Sequence, residues 1–277
     1  MTVVDAHHHV WDLAVRDQDW ITGPALAPLR RDFTVADLAP EARAAGVDRT
    51  VLVQTVTVPE ETPEFLALAA EHELIAGVVG WADLTRADIA EELARLRELP
   101  GGPYLKGVRH QVQGEPDPRW LLRADVRRGL AAVADAGLVY DLVVLPHQLP
   151  ACVEAAAGHP GLTFVLDHLG KPPIAAGERE PWETSVRSLA ALPNTVCKFS
   201  GMVTEADPAA WTVEDLRPYA DVVLEAFGPR RLMFGSDWPV CTPAASYAQV
   251  LATAEALTSP ADRAEIFERT AVRVYDL

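Results

Sequence analysis

The sequence predicts an α/β protein, one (β/α)8 barrel domain over residues 1–277, and three observations carry that reading. Short runs rich in Val, Ile, Leu and Thr recur eight times, segments of helical length rich in Ala, Leu, Glu and Arg separate them, and 277 residues is the size of one such barrel. An open doubly wound sheet is the competing architecture.

Taken in order, the first strand covers 3–9 and leads into a long loop, 16–31, whose aromatic and proline breaks leave no periodicity and which is read as a cover over the barrel mouth. Helix 35–45 follows and ends at Gly46, then strand 50–55, helix 62–73, strand 75–81, helix 87–99 and strand 105–111. Helix 121–136 ends at Gly137 and precedes strand 139–145, helix 149–157, strand 163–168, helix 181–192 and strand 195–201. Helix 213–227 ends at Gly228, strand 232–237 and helix 244–257 complete the eighth unit, and helix 260–275 closes the chain. The glycines after three of these helices suit left-handed C-caps.

Composition narrows the class of function. With 24 Lys and Arg against 40 Asp and Glu the net charge is -16, which repels phosphate backbones and anionic lipid heads, so neither nucleic acid nor a membrane is an expected partner. Cys152, Cys197 and Cys241 are odd in number and lie far apart, which suggests neither a disulfide framework nor a thiolate zinc site. The N-terminus carries no basic segment leading into an apolar run, and no apolar stretch approaches the roughly 20 residues of a spanning helix. The expectation is a soluble, unprocessed, cytoplasmic protein acting on a small molecule; homo-oligomerisation stays open.

Barrel active sites lie at the C-terminal strand ends. The first strand ends Asp5-Ala6-His7-His8-His9, and alternation puts His7 and His9 on one side and His8 on the other. The fifth strand leaves His147 just past its end, the sixth ends Asp167-His168, and the eighth ends Gly235-Ser236-Asp237-Trp238. Imidazole and carboxylate suit a borderline divalent ion such as zinc, and three or four of them with an open position make a hydrolytic site. His7, His9, His168 and Asp237 are the candidate ligands, and Asp237 is equally a candidate base for the proton of water. Lys106, Lys171 and Lys198 are the only lysines, each within or just after a strand end. Parity sets Lys106 and His110 on one face of strand four and Arg109 on the other, while Lys198 shares a face with Ser200. Arg109 and Lys198 are candidates for holding a carbonyl or carboxylate oxygen. Trp11, Trp20, Trp81 and Trp238 flank strand ends and are candidate pocket walls. The chain has no Gly-rich phosphate loop, GxSxG elbow or nucleophilic Cys/His pairing.

The segments Asp5-Ala6-His7-His8-His9-Val10-Trp11-Asp12, Lys106-Gly107-Val108-Arg109-His110, Leu145-Pro146-His147-Gln148-Leu149-Pro150, Val165-Leu166-Asp167-His168-Leu169-Gly170-Lys171-Pro172, Lys198-Phe199-Ser200-Gly201 and Phe234-Gly235-Ser236-Asp237-Trp238-Pro239 resemble the amidohydrolase superfamily. Within it they are similar to the sugar-acid lactonase branch, which includes lactonases for L-fuconolactone and L-rhamnonolactone. The resemblance implies a distorted barrel with His7, His9, His147, His168 and Asp237 at the family positions, and Asp237 activating water and returning its proton to the leaving alkoxide. Members of the branch hold one divalent ion or none. Two-metal members of the superfamily carry a carboxylated lysine at the end of strand four, where this chain has Arg109, so at most one ion, zinc by donor type, is expected. The leading expectation is hydrolysis of a lactone; decarboxylation of an aromatic or unsaturated acid, and a noncatalytic ligand-binding barrel, are the alternatives.

Overall fold

The structure is a computed structural model and describes residues 2–277. Strands β1 (Val3–His8), β2 (Val47–Val53), β3 (Ile75–Gly80), β4 (Leu105–His110), β5 (Val139–Leu142), β6 (Phe164–Leu166), β7 (Thr195–Phe199) and β8 (Leu232–Phe234) are parallel and pair in sequence order. The ring closes where His9 N–H donates to Trp238 O at 2.7 Å and Asp237 N–H donates to His7 O at 2.8 Å. A closed ring leaves no free sheet edge and brings residues from both ends of the chain to one rim. The open doubly wound sheet is therefore excluded.

Helices α1 (Val35–Ala44), α2 (Glu61–Glu71), α3 (Ile89–Glu98), α4 (Ala124–Asp135), α5 (Leu149–Gly158) and α6 (Trp182–Ala190) cover the first six strands. A one-turn α7 (Met202–Glu205) that the periodicity does not reveal follows β7, then α8 (Val213–Phe227), α9 (Tyr247–Leu257) and α10 (Thr270–Tyr275), the last entered through a π-helical turn Glu265–Arg269. Caps fix where these helices begin. Thr34 and Asp37 at α1, and Ser246 and Gln249 at α9, exchange side-chain and backbone hydrogen bonds that satisfy otherwise orphaned N–H groups. Gly46, Gly137 and Gly228 all have positive φ, as their placement after helices predicts. Among the described residues no helix is long and apolar enough to cross a membrane.

Parallel strands bury both faces, so the apolar residues divide into two sets. Leu52, Val78, Val108, Leu142, Leu166, Cys197 and Phe234 face the helices. Val4, Val51, Val53, Val79, Val139, Val165, Val196 and Met233 fill the barrel, and Ala271 and Tyr275 of α10 plug its lower end. Two residues further up the strands, at the next inward position, the filling turns polar. Arg109, Asp141, Asp167 and Lys198 are each at most 3% exposed.

β1 breaks strict alternation. Its pairing with β2 advances three residues, Asp5 to His8, while β2 advances two, Thr50 to Leu52. The extra residue lets Val4 and Ala6 pack inside and still turns His7 inward, a re-aiming typical of bulges beside active sites. Asp5 then points outward and joins the closing strands. Its Oδ1 accepts from His7 N–H at 3.1 Å and Ser236 N–H at 2.8 Å, and its Oδ2 from Ser236 Oγ at 2.6 Å and Tyr247 OH at 2.9 Å.

Candidate active site

Both ends of the chain meet at the rim. His7 Nε2 lies 3.1 Å from His9 Nε2 and 3.8 Å from Asp237 Oδ1, His9 Nε2 lies 3.6 Å from Asp237 Oδ1, and His168 Nε2 lies 3.8 Å from it. One nitrogen or oxygen atom each from His7, His168 and Asp237 falls within 4.8 Å of the others. Backbone strain is concentrated at two of these residues. His168 has φ 52° and Asp237 φ 57°, the left-handed region that costs a non-glycine residue roughly 1–2 kcal/mol and that persists where the surroundings enforce it. Close packing does so here. A methyl group on Gly201, itself at φ 67°, would sit 2.6 Å from the His168 ring, and one on Gly235 would sit 2.7 Å from His7 Cβ.

Hydrogen bonds orient the rings. His9 Nδ1 lies 2.8 Å from Val53 O; a carbonyl only accepts, so this nitrogen donates and a neutral His9 keeps its Nε2 lone pair free. His168 Nδ1 lies 2.9 Å from Ser200 Oγ, leaving Nε2 toward Asp237. Burial lowers all three imidazoles, His168 to about 4 and His7 well below its ordinary value, so they are neutral near pH 7. For Asp237 burial acts in the opposite sense but does not win. Burial pushes its carboxyl up, but His168, His9 and Lys171 outweigh that and hold it below the usual carboxylate range, so it is ionised.

Beneath these lies an ion network. Lys198 Nζ is 2.5 Å from Asp141 Oδ2, 3.0 Å from Asp167 Oδ1 and 3.1 Å from His7 Nδ1, and Tyr275 OH donates to Asp141 Oδ2 at 2.9 Å. Arg109 donates through Nε to Gln54 Oε1 at 2.8 Å, through NH1 to Asp167 Oδ2 at 2.9 Å and through NH2 to Gln54 O. Burial drives the Asp167 carboxyl up, but Lys198, His7 and Arg109 hold it well below the ordinary range; burial raises Asp141 to about 6. At neutral pH three carboxylates, Asp141, Asp167 and Asp237, face two cations, Arg109 and Lys198, which leaves one negative charge uncompensated.

The donor set fits a single divalent cation. Two imidazole nitrogens facing each other at 3.1 Å beside a carboxylate, in a cluster with excess negative charge, are separated much as ligands around an ion with bonds of about 2.0–2.2 Å would be. Arg109 NH1 stands 3.4 Å from His7 Nε2, so a guanidinium occupies ground that a second cation would need.

The cavity above the cluster, about 90 Å³, is lined by His9, Arg109, His168 and Asp237, by Trp20 and Lys171 from loops, and by Glu205 from α7. A larger hollow of about 790 Å³, between the first loop and α1 and α2, holds none of the converging side chains.

Several expected residues lie elsewhere. His147 is exposed on a turn, because β5 leaves the sheet at Leu142 and the following segment carries this side chain outward; Val143 lines the cavity instead. Lys198 is fully buried, bound to carboxylates and not available to a substrate. Neither Trp238 nor Trp81 is among the residues lining the cavity: Trp238 is 2% exposed and packs edge-on against Phe33, and Trp81 Nε1 donates to His110 Nδ1 at 3.0 Å. Gln54, Thr55 and Glu205 went unnoticed in the sequence, being common polar residues whose only signal is position on a strand end or on the short α7.

A family model described as amidohydrolase matches residues 4–277. The chain is 41% identical over 288 aligned residues to an L-fucono-1,5-lactonase of Burkholderia multivorans, covering 99% of this chain and 96% of that one, and 38% identical to an L-fucono-1,5-lactonase of Burkholderia ambifaria over 86% and 80%. A crystal structure of an amidohydrolase from Burkholderia multivorans with bound zinc superposes with a TM-score of 0.91 at 39% identity, each chain covered in full.

Proposed function

The chain belongs to the amidohydrolase family, and from that premise we propose that it is a carboxylic ester hydrolase that opens the lactone ring of a sugar acid. One observation carries the reading: Asp237 Oδ1 lies within 3.8 Å of a ring nitrogen of each of His7, His9 and His168, beside a cavity whose lining offers no serine or cysteine nucleophile. Such a site activates water. Similarity to two L-fucono-1,5-lactonases supports a hexose-derived ring as the electrophile.

In this reading Asp237 takes a proton from water as the oxygen adds to the ring carbonyl, a role worth about 10²–10⁴ in rate. Arg109, anchored by Gln54 and Asp167, turns its remaining N–H groups to the carbonyl oxygen as negative charge gathers there. The bond from the carbonyl carbon to the ring oxygen then breaks, and that oxygen leaves as an alkoxide and receives the proton held on Asp237. The product is one open chain with a hydroxyl and a carboxylic acid, which releases its proton to solvent and becomes a carboxylate. His7, His9, His168 and Asp237 would hold a divalent ion, zinc by donor type, whose chemistry is to lower the pKa of bound water toward about 7.

A panel of sugar 1,5- and 1,4-lactones, followed with a pH indicator, tests the assignment. Acid release from a 1,5-lactone is expected, and elemental analysis of the same preparation, made without chelator, gives no more than one divalent ion per chain. Silence across the whole panel sinks the assignment.

A further inference from the structure

The rim of the cavity carries polar groups that take no direct part in activating water. Lys171 closes a run of four residues with positive φ: His168 (52°), Leu169 (55°), Gly170 (72°) and Lys171 (53°). L-residues enter that region only against strain, so this turn is held in place by its packing, Leu169 being fully buried. The turn brings Lys171 to the cavity, where its Nζ lies 3.4 Å from Glu205 Oε1 of α7. That is longer than the 2.7–2.9 Å of a saturated charge-assisted pair, and both side chains stay partly exposed. Beside Glu205, the Thr204 hydroxyl is buried with no hydrogen-bond partner among the described residues, and across the cavity lining Gln113 Oε1 is in the same state. Buried polar atoms without partners are rare, because each costs the free energy of its lost hydration. Both residues belong to the cavity lining, and the unpaired atoms lie just beneath its surface.

An indole supplies the apolar part. Trp20 reaches the cavity from the first loop and is fixed there, its Nε1 donating to Gln18 Oε1 at 2.9 Å and its ring standing edge-on to Trp11 at 5.6 Å. An ammonium and a carboxylate side by side, a free hydroxyl next to them and a fixed aromatic face match one class of ligand: a ring with adjacent hydroxyls. Each hydroxyl both donates and accepts, so it can take a hydrogen bond from Lys171 while giving one to Glu205, with Thr204 meeting its neighbour and the ring C–H face resting on the indole.

We propose that Lys171, Glu205 and Thr204, with Trp20 over the ring, form a diol clamp that selects lactones bearing adjacent ring hydroxyls over unsubstituted lactones of equal ring size; this rests on the lactone-opening reading above. The clamp acts on selectivity. A pair that only held two loops together would affect both kinds of lactone alike.

The test compares kcat/KM for a polyhydroxylated 1,5-lactone with that for δ-valerolactone in the wild type, Lys171→Met, Lys171→Arg, Glu205→Gln and Thr204→Val. The preference for the hydroxylated ring is expected to fall about tenfold or more in Lys171→Met and Glu205→Gln, mostly through KM, and about two- to tenfold in Thr204→Val, with Lys171→Arg recovering part of it. Thr204→Val keeps side-chain shape and decides the matter if the charge variants do not fold. Calorimetric binding of a polyhydroxylated δ-lactam against δ-valerolactam reads the same preference without turnover. Preferential lactam binding that Glu205→Gln abolishes, in a chain that opens no lactone, would keep the clamp and remove the reaction. A wild type without preference, or variants that keep it, overturns the clamp.

Discussion

Lys198 is out of reach of any substrate, yet its charge sets the chemistry above it. Its ammonium is the shared counter-ion of Asp141 and Asp167 and lies against His7, so the floor of the site is a compensated network in which each charge depends on another. Removing one partner of a buried ion pair leaves the other charge unpaired in a low-dielectric interior. Lys198→Met is therefore expected to lower stability by about 3–5 kcal/mol in urea unfolding, and Lys198→Met with Asp141→Asn to recover part of that loss. The sequence located Lys198 at a strand end, on one face with Ser200. It could not say that two carboxylates from neighbouring strands would claim it, because partners 57 and 31 positions away become neighbours only once the ring closes.

At the scale of elements, the seam between β8 and β1 does most of the positioning. Asp5 ties β1 to Ser236 and to Tyr247 of α9, and the absence of a side chain at Gly235 lets His7 approach β8. Gly235→Ala places a methyl group 2.7 Å from His7 Cβ, so the variant is expected to lose about 1–3 kcal/mol in thermal or urea unfolding and to lose turnover with it. Alternation correctly grouped His7 with His9 and apart from His8. Counting outward from the inward Val4 and Ala6 would have put His8 inside; only the bulge, a feature of pairing and not of pattern, resolves this. The same limit misplaced His147. The run 139–145 looks like one long strand, but its ladder stops at Leu142, and every side chain beyond that point follows the turn.

For the molecule as a whole, eight βα repeats with glycine stops were enough to predict the barrel, since that pattern is set by local chemistry repeated many times. Reading 16–31 as a cover over the mouth already brings Trp20 to the cavity, whereas Lys171, on a turn, and Glu205, on the one-turn α7, follow no period and were not legible as parts of it. Global stability should also report one buried carboxyl outside the site. Glu61 accepts hydrogen bonds from Thr55 N–H, Thr55 Oγ and Val56 N–H, yet burial raises its carboxyl from 4.5 to about 7. The folded chain then keeps a proton that the unfolded chain has released, so this group lowers stability as pH rises from about 4.5 to 7, by about 3 kcal/mol at most. Urea midpoints at pH 5 and pH 7.5 should fall more in the wild type than in Glu61→Gln; equal changes would refute the shift.

The ion network, the β8–β1 seam and the closed ring all converge on Asp237, an ionised carboxylate held in a strained backbone among neutral imidazoles. The direct measurement is the kcat/KM of Asp237→Asn on a sugar 1,5-lactone, with thermal unfolding and lactam binding recorded on the same sample. A loss of about a hundred- to ten-thousandfold is expected, with folding and binding retained. Turnover within about threefold of wild type, in a folded variant, would contradict it.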